Sequence, residues 1–522
     1  MDFAFSGAVA LIAAVILLQF SIPMALPLIG VGVIVAILPW GPDYLANPEI
    51  VLVALLAPLV FGEALSSSYL DLRRVSKPVL ILALGLVVAT TAVIGGVAVW
   101  IAAMPLASAM ALGAVLAPTD AVAVSTVAKR ASLPRRLISI LEGESLVNDG
   151  SGLTLLRVAV VVAIAGSVTL LEAGEIFAIA VAVGVGLGIA SGWLLSQILR
   201  RTRDAVAANA LVLVAPFAIY LGAEYFEGSG ILAVVVAALW IAHSQNSEPG
   251  GSGRLQANYV WKHLTFILQA IAFFSIGLEL PDVLSALPGD QRPLVPGLIV
   301  AVLLALILTR FAFVFAMQGI PRLRPGRRGA GDWVAGAVLV SWAGARGPVS
   351  GLAAFSIPIV VASGSEFPFR DVILATTFCI IIITLLLSLT LAPLARALKI
   401  KGEDTATEQH RIDTQLARAA LDRLTAAVDE AEVLGTRIAV DVVQRLRGDA
   451  LQRIEHGEKS DSNSTPIRNP QAQLMELALS MVHAEQAELI RIRDDEGVPD
   501  AVIRPIMRDL DVREEALQAQ LR

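Results

Sequence analysis

Two short stretches of this chain place carboxylates among hydroxyl and amide side chains inside long apolar segments. The first is residues 117–120 (Ala-Pro-Thr-Asp), and the second is residues 142–149 (Glu-Gly-Glu-Ser-Leu-Val-Asn-Asp). A charged group at the depth of a bilayer costs roughly 3 kcal/mol or more unless a partner or a function keeps it there. The paired carboxylates therefore predict a site that binds a cation or a proton inside a membrane.

The spacing of the polar residues in the second stretch places them along one side of a helix. Residues 142, 145 and 149 stand at i, i+3 and i+7, and residues 144 and 148 stand at i and i+4 on the neighbouring face. The alternative interpretation is a solvated cap at the cytoplasmic end of a helix. It is disfavoured because apolar runs on both sides put Asp149 several turns inside the segment.

Asp149 is the residue predicted to carry the ion. Removal from water disfavours the charged form of a carboxylate, so a buried carboxylate binds a proton more readily. When it is deprotonated, Asp149 is expected to bind a hard monovalent cation together with Thr119, Ser145 and backbone carbonyls. When it is protonated, it loses the charge that holds the ion. One carboxylate that takes either a proton or a cation predicts an antiporter.

Proline and glycine interrupt two of the apolar segments. Pro118 removes a backbone hydrogen bond from the fifth predicted span, and Gly-Ala-Arg-Gly-Pro at 344–348 interrupts the twelfth. A membrane tolerates a broken helix only where the freed backbone is buried in protein or lines a cavity. Two broken helices of opposite direction are typical of a secondary transporter built from inverted repeats, with the ion site at their crossing.

Other charged residues inside the predicted spans are assigned supporting roles. An arginine within a span needs an acidic partner, and Glu144 is expected to pair with Arg346 rather than with Arg310. Asp120 is expected to face the positive ends of the broken helices. Two interpretations of Glu63, in the third span, stay open: a place beside the ion or a structural position.

The composition divides the chain into an apolar front part and a polar tail. The chain has 522 residues, 56% of them hydrophobic, and a mean hydropathy of +0.75, which is more apolar than water-soluble domains. We count 24 acidic and 16 basic residues in 401–522, net −8, which leaves 21 acidic and 23 basic residues before them. The excess of acid belongs to the tail and indicates no nucleic-acid binding. We therefore predict a transmembrane domain at 1–398 and a cytosolic tail at 399–522.

Apolar runs of about 20 residues, the length that crosses a bilayer, predict an all-α polytopic membrane protein. About thirteen spans are expected, at 6–21, 25–40, 49–66, 77–101, 106–128, 137–164, 174–198, 205–224, 229–244, 262–280, 294–318, 332–358 and 371–395. With a cytoplasmic C-terminus, 18 of the 23 basic residues of the front part fall in inner loops, as the positive-inside rule requires. The first run lacks the basic start of a signal peptide, so we expect a retained span and an external N-terminus.

The motifs at 144–150, 117–120 and 344–348, in this order and spacing, resemble those of the NhaP-type sodium/proton antiporters of the cation/proton antiporter-1 family, relatives of the animal sodium/proton exchangers. The resemblance covers about residues 5–398. The run Glu-Gly-Glu-Ser-Leu-x-Asn-Asp-Gly is highly specific. Ala117 and Ala121 depart mildly from the pattern of many relatives, and Glu63 is offset by one from an acidic residue that lies near the ion in some of them.

The resemblance implies a homodimer in the inner membrane that works by an elevator-like movement of a core domain and needs no cofactor. It implies that Asp149 binds the cation or the proton, with Asn148 as its neighbour and with Thr119, Asp120 and Ser145 around the site. It also implies that Glu144 pairs with a buried arginine. Asn148 before Asp149, rather than a second Asp, resembles the branch that exchanges one cation for one proton without net charge movement.

The tail shows apolar residues at helical spacing and predicts a small cytosolic helical domain. It packs on itself or a dimer mate, or it regulates transport by binding a ligand that the sequence does not identify. Three functions are carried forward: a sodium or lithium for proton antiporter, a potassium-preferring antiporter of the same build, and a membrane sensor of ions or pH that no longer transports. The intact set of site residues argues against the sensor.

Overall fold

The computed structural model of the chain is almost entirely helical. It describes residues 2–19, 23–38, 51–120, 134–165, 169–202, 204–246, 252–319, 333–361, 366–398 and 405–433, with isolated short stretches between 440 and 517. In these residues one isolated β-bridge joins Val360 and Glu366, and no strand forms. The chain divides into two compact units, Met1–Glu403 and Asp404–Arg522. The predicted all-α class is confirmed.

The helices of the first unit follow one another with short connections. They are α1 (Asp2–Gln19), α2 (Ala25–Ile37), α3 (Ala57–Ser66), α4 (Tyr69–Arg74), α5 (Ser76–Leu80), α6 (Val87–Ala102), α7 (Leu106–Leu116), α8 (Arg135–Ala165), α9 (Leu170–Arg201), α10 (Ala205–Tyr225), α11 (Gly230–Asn246), α12 (Ser252–Ala286), α13 (Leu294–Gly319), α14 (Trp333–Trp342), α15 (Pro348–Phe355), α16 (Arg370–Ser388) and α17 (Leu391–Ala397). Turns of π-helix precede α3 (Val51–Leu56) and α6 (Ile81–Leu86).

Within the described residues, seven helices are long and apolar enough to cross a membrane, and six shorter apolar helices accompany them. Each of these helices overlaps one of the predicted spans, so the chain is a multi-pass membrane protein. The number of membrane crossings stays a prediction. The part of the fifth predicted span beyond residue 120 lies outside the described residues.

Small residues let the helices of this unit approach closely, as is usual in membranes, where hydrophobic burial does not drive helix association. The crossing of α2 and α12 is the clearest case. A Cβ built on Gly277 would lie 2.0 Å from the carbonyl oxygen of Ile29, and one on Gly32 would lie 2.3 Å from that of Phe274. Backbone therefore contacts backbone at this crossing, and no larger side chain fits there.

The two predicted helix breaks come together in space. α7 ends at Leu116 and is followed by the non-helical residues 117–120, while residues 343–347 separate α14 from α15. The backbone N–H of Asp120 donates a hydrogen bond of 2.8 Å to the carbonyl of Ala345. The break in the twelfth span and the contact between the two interrupted segments are thus confirmed, and these segments place the polar residues of the site.

The second unit begins with α18 (Thr405–Val433), a long polar helix. Arg423 and Glu430, two turns apart on it, form an exposed ion pair of 3.0 Å. Beyond α18, the buried residues Val482, Leu489 and Leu510 form a small apolar cluster. The helical character predicted for the start of the tail is present, and the regulatory role stays a prediction.

Candidate ion-binding site

Asp149 lies about midway along α8 and is 1% exposed. Neither of its carboxylate oxygens accepts a hydrogen bond from the residues that the structure describes. Burying a charge without partners is strongly unfavourable, so the neutral form or a bound cation stabilises this position. The structure places the residue that the sequence singled out where it can exchange one for the other.

Thr119 joins the broken fifth span to α8. The Ser145 hydroxyl donates to the Thr119 carbonyl at 2.6 Å, and the Asn148 side-chain amide donates to the Thr119 hydroxyl oxygen at 2.9 Å. The Thr119 hydroxyl faces Oε1 of Glu144 at 3.5 Å. All four side chains are buried. These contacts fix the extended segment one residue before Asp120 and one turn from Asp149, so the predicted site residues Thr119, Ser145 and Asn148 do come together.

The partner of Glu144 is Arg310, and the expectation that Arg346 fills this role is wrong. Nη2 of Arg310 donates to Oε2 of Glu144 at 2.9 Å, and Nη1 donates to Oε1 of the same carboxylate. Nε of Arg310 donates to the Val340 carbonyl at 3.1 Å. Both side chains of the pair are almost fully buried. Arg310 extends from the continuous helix α13 and meets the carboxylate with its planar fork, the strong bidentate geometry for this pair.

Arg346 lies in the extended segment between α14 and α15 and is 3% exposed. Its backbone N–H donates to the Thr384 hydroxyl of α16 at 3.0 Å. Its side-chain atoms Nε and Nη1 have no hydrogen-bond partner among the described residues. Arg346 therefore contributes a second buried cationic group near the crossing, separate from the Glu144–Arg310 pair.

Gly347 is required for the close approach of the two interrupted segments. A Cβ built on it would lie 2.3 Å from Oδ2 and 2.4 Å from Cβ of Asp120. The backbone of Gly347 is extended, so conformational freedom is not the reason for glycine here. The absence of a side chain is what lets Asp120 pack against the second broken helix.

We expect Gly347→Ala to destabilise the protein by about 2 kcal/mol, because overpacking a rigid contact costs about 1–3 kcal/mol. The measurement is thermal unfolding of the purified protein in detergent. Gly336→Ala, on α14, is the matched control, since its added methyl would meet only Leu137 at 3.9 Å. Equal stability of the two variants would show that Asp120 does not pack on Gly347.

Glu63, which the sequence left between two interpretations, lies beside the ion site. Its charge and that of Asp120 are close enough to interact with the Asp149 carboxylate. Gln269 of α12 donates from Nε2 to Oε1 of Glu63 at 3.3 Å and is itself 6% exposed. Sequence reasoning missed Gln269, although an amide within an apolar span was the available signal.

A second polar group on α8 also escaped the sequence analysis. Arg157, two turns beyond Asp149, forms an ion pair of 2.9 Å with Glu224 of α10 and donates to the Gly228 carbonyl at 2.9 Å. Thr154 donates to the Ser229 hydroxyl at 2.9 Å. These bonds tie the ion-carrying helix to the turn between α10 and α11.

Comparison with known proteins agrees with this architecture. Residues 7–397 match the family model described as sodium/hydrogen exchanger, transmembrane. The chain is 32% identical to a sodium, potassium, lithium and rubidium/H(+) antiporter of Bacillus pumilus, over 87% of this chain and 70% of that one. It is 30% identical to a Na(+)/H(+) exchanger of Mycobacterium tuberculosis, named as uncharacterised, over 97% of this chain and 95% of the relative.

The fold is also shared with a solved structure. The sodium proton antiporter MjNhaP1 of Methanocaldococcus jannaschii matches with a TM-score of 0.64 and 19% identity, over 77% of this chain and 98% of that one. At this identity the likeness concerns the fold. With the family match over most of the chain, it confirms the predicted resemblance and a transport rather than an enzymatic role. The chain belongs to the sodium/hydrogen exchanger family, as a cation/proton antiporter of the NhaP type.

Proposed function

We propose that this antiporter exchanges one monovalent cation for one proton at Asp149. The observation that carries the proposal is the isolation of this carboxylate: it is 1% exposed, in the middle of a membrane helix, and accepts no hydrogen bond from the described residues. A bound cation or a proton each satisfies it, and both together do not fit one charge. Exchange then follows as the site is presented to the two sides of the membrane in turn.

The neighbours of Asp149 support exchange without net charge movement. Glu144 is neutralised by Arg310 through two hydrogen bonds, so it is not a second carrier. Asn148 is neutral and is engaged with Thr119. The proposed cation ligands are Asp149, the Ser145 hydroxyl oxygen and Thr119, whose carbonyl keeps a second lone pair after accepting from Ser145. Asp120 and Glu63 add negative charge that attracts the cation.

Sodium or lithium is the proposed cation, and potassium is the second candidate. Oxygen ligands around one carboxylate suit any hard monovalent cation and do not fix its size. The Bacillus pumilus relative, named for sodium, potassium, lithium and rubidium, favours a site that also accepts larger ions. A broad cation range is therefore the specific alternative.

The experiment that tests this proposal is reconstitution into acid-loaded liposomes, with internal pH recorded while sodium, lithium, potassium or rubidium is added outside. Alkalinisation by sodium and lithium alone supports the first candidate, and alkalinisation by all four supports the second. An imposed membrane potential should leave the rate unchanged, because one charge is exchanged for one charge. No response to any cation from folded, inserted protein would contradict antiport and return the sensor interpretation.

We expect Gln269→Leu to raise the KM for the cation about fivefold with little change in kcat. Its amide orients the Glu63 carboxylate from α12, and one such hydrogen bond contributes about 1 kcal/mol. Initial rates of cation-driven alkalinisation over a range of cation concentrations measure both constants. Thr265→Val, one turn away, is the control, because the Thr265 hydroxyl bonds only to carbonyls of its own helix. A fall in kcat alone would exclude this positioning role for Gln269.

We further propose a homodimer in the inner membrane, with an external N-terminus and a cytoplasmic C-terminal tail. The bias of basic residues toward one set of loops supports the orientation. Long apolar helices with little contact inside the chain support the dimer: only 22% of the most apolar window of α9 and 28% of that of α10 are buried. Cysteine cross-linking along α9, in a background where Cys379 is replaced, tests whether this face meets a second copy.

A further inference from the structure

A small cavity lies beside the crossing of the broken helices, between α13, α16 and the extended residues 343–347. Its volume is about 30 Å³. Four polar side chains line it, together with apolar ones that include Phe311 and Trp342: Arg310, Ser341, Arg346 and Thr384. The ion-exchange mechanism gives this cavity no role, and its lining asks for a ligand.

The polar wall of the cavity offers hydrogen-bond donors that nothing satisfies. Nε and Nη1 of Arg346 and the hydroxyl of Ser341 have no partner among the described residues, and both side chains are less than 5% exposed. Leaving a buried donor unpaired costs about 1–3 kcal/mol, and more for a charged group. The Thr384 hydroxyl is already used by the backbone of Arg346 and Ile381. A guanidinium only donates, so the missing partner is an acceptor.

The charge balance around the cavity favours a negative acceptor. Arg310 is neutralised by the bidentate contact with Glu144. Arg346 adds a second positive charge at the same wall. Asp120 packs on the adjacent Gly347 but accepts no hydrogen bond from Nε or Nη1 of Arg346. A buried cation without a counter-charge is strongly unfavourable, and an anion in the cavity removes that cost.

The size of the cavity selects among anions. One water requires about 10–15 Å³ by this measure, so the space admits roughly two waters or one ion of halide size. A lipid phosphate group is too large. We propose that a chloride ion binds here, between the guanidinium of Arg346 and the hydroxyl of Ser341.

Chloride in this position has a consequence for transport, which rests on the proposed function at Asp149. Arg346 lies in the segment that contacts Asp120 at the crossing. Its positive charge opposes a cation bound there, and a bound anion cancels that charge. We therefore expect the KM for sodium to be several-fold lower in chloride than in gluconate, an anion too large for the cavity.

The test measures binding and transport separately, with the purified full-length protein. Chloride replaces gluconate at constant ionic strength, and calorimetric titration and thermal unfolding report binding. Wild-type protein should show saturable binding and a rise in Tm. Arg346→Gln should abolish both, and Ser341→Ala should weaken the affinity about tenfold, as expected for one hydrogen bond between a hydroxyl and an ion. Ser350→Ala is the matched control: its hydroxyl is equally buried and unpartnered but does not line the cavity.

Each outcome decides one part of the proposal. No saturable effect of chloride on folded wild-type protein, or the same chloride affinity in wild-type protein and both cavity variants, would mean that only water fills the cavity. Chloride binding with an unchanged sodium KM would overturn the effect on transport and leave the binding site standing. Absence of any cation-driven exchange would overturn the function proposed for Asp149, and calorimetry would still report on the anion.

Discussion

Asp149→Asn is expected to reduce cation-driven proton movement to the level of empty liposomes. The amide is nearly the same size as the carboxylate, but it cannot release a proton near neutral pH and has no charge to hold a cation. The loss should be seen with every cation that the wild-type protein transports. Internal pH of acid-loaded liposomes measures it, and thermal unfolding in detergent should show a stability close to that of wild type, because the substitution removes a buried charge without creating a cavity.

The matched control is Asp290→Asn, an exposed acid in the turn before α13, which removes the same charge far from the site. It should transport like the wild type. Retained exchange in Asp149→Asn would assign the carrier role to another acid near the site. Asp120→Asn and Glu63→Gln would then identify it, because these two carboxylates are close enough to interact with Asp149.

The parts of the site that the sequence predicts are those that depend on local geometry. The run 142–149 forms one helix, so its side-chain directions follow from residue spacing alone. Pro118 and the glycines around Arg346 mark breaks because their backbone chemistry excludes a regular helix there. The function also follows from local features, since a carboxylate in an apolar helix is informative wherever the helix packs.

The parts that the sequence does not predict depend on contacts across the fold. Glu144 and Arg310 are 166 residues apart, and charge alone does not distinguish Arg310 from Arg346 as the partner. The same holds for Gln269 and Glu63, which lie 206 residues apart on α12 and α3. Spacing within a helix gives the face of a residue, but the neighbouring helix that it meets is decided by packing.

The π-helical turn before α6 is a further case. It packs beside α8, where the Ser151 hydroxyl donates to the Ala83 carbonyl at 2.6 Å, two residues beyond Asp149. Nothing in the apolar run 81–86 distinguishes a π-turn from an ordinary helix. Such turns are rare and are stabilised by their surroundings, and here a neighbouring hydroxyl supplies the contact.

Breaking the buried ion pair should have the largest effect on stability. Glu144→Gln leaves Arg310 charged and without its carboxylate, and removing one partner of a buried pair costs about 3–5 kcal/mol. It also weakens the contact of Glu144 with Thr119, which fixes the extended segment next to Asp120. We expect a large fall in Tm and little folded protein in the membrane. Thermal unfolding in detergent and the yield of monodisperse protein measure both.

The double variant Glu144→Gln/Arg310→Met should recover most of this loss, because replacing both members of a buried pair by residues of similar volume is often neutral. A double-mutant cycle then distinguishes the two arginines. Residues in direct contact couple by up to about 3 kcal/mol, so Glu144 should couple strongly to Arg310 and weakly to Arg346, whose Nε and Nη1 do not bond to it. Strong coupling to Arg346 would instead favour the pairing that the sequence suggested. Glu144 would then be neutralised from the broken helix itself, and the pair would separate whenever that segment moved against α8.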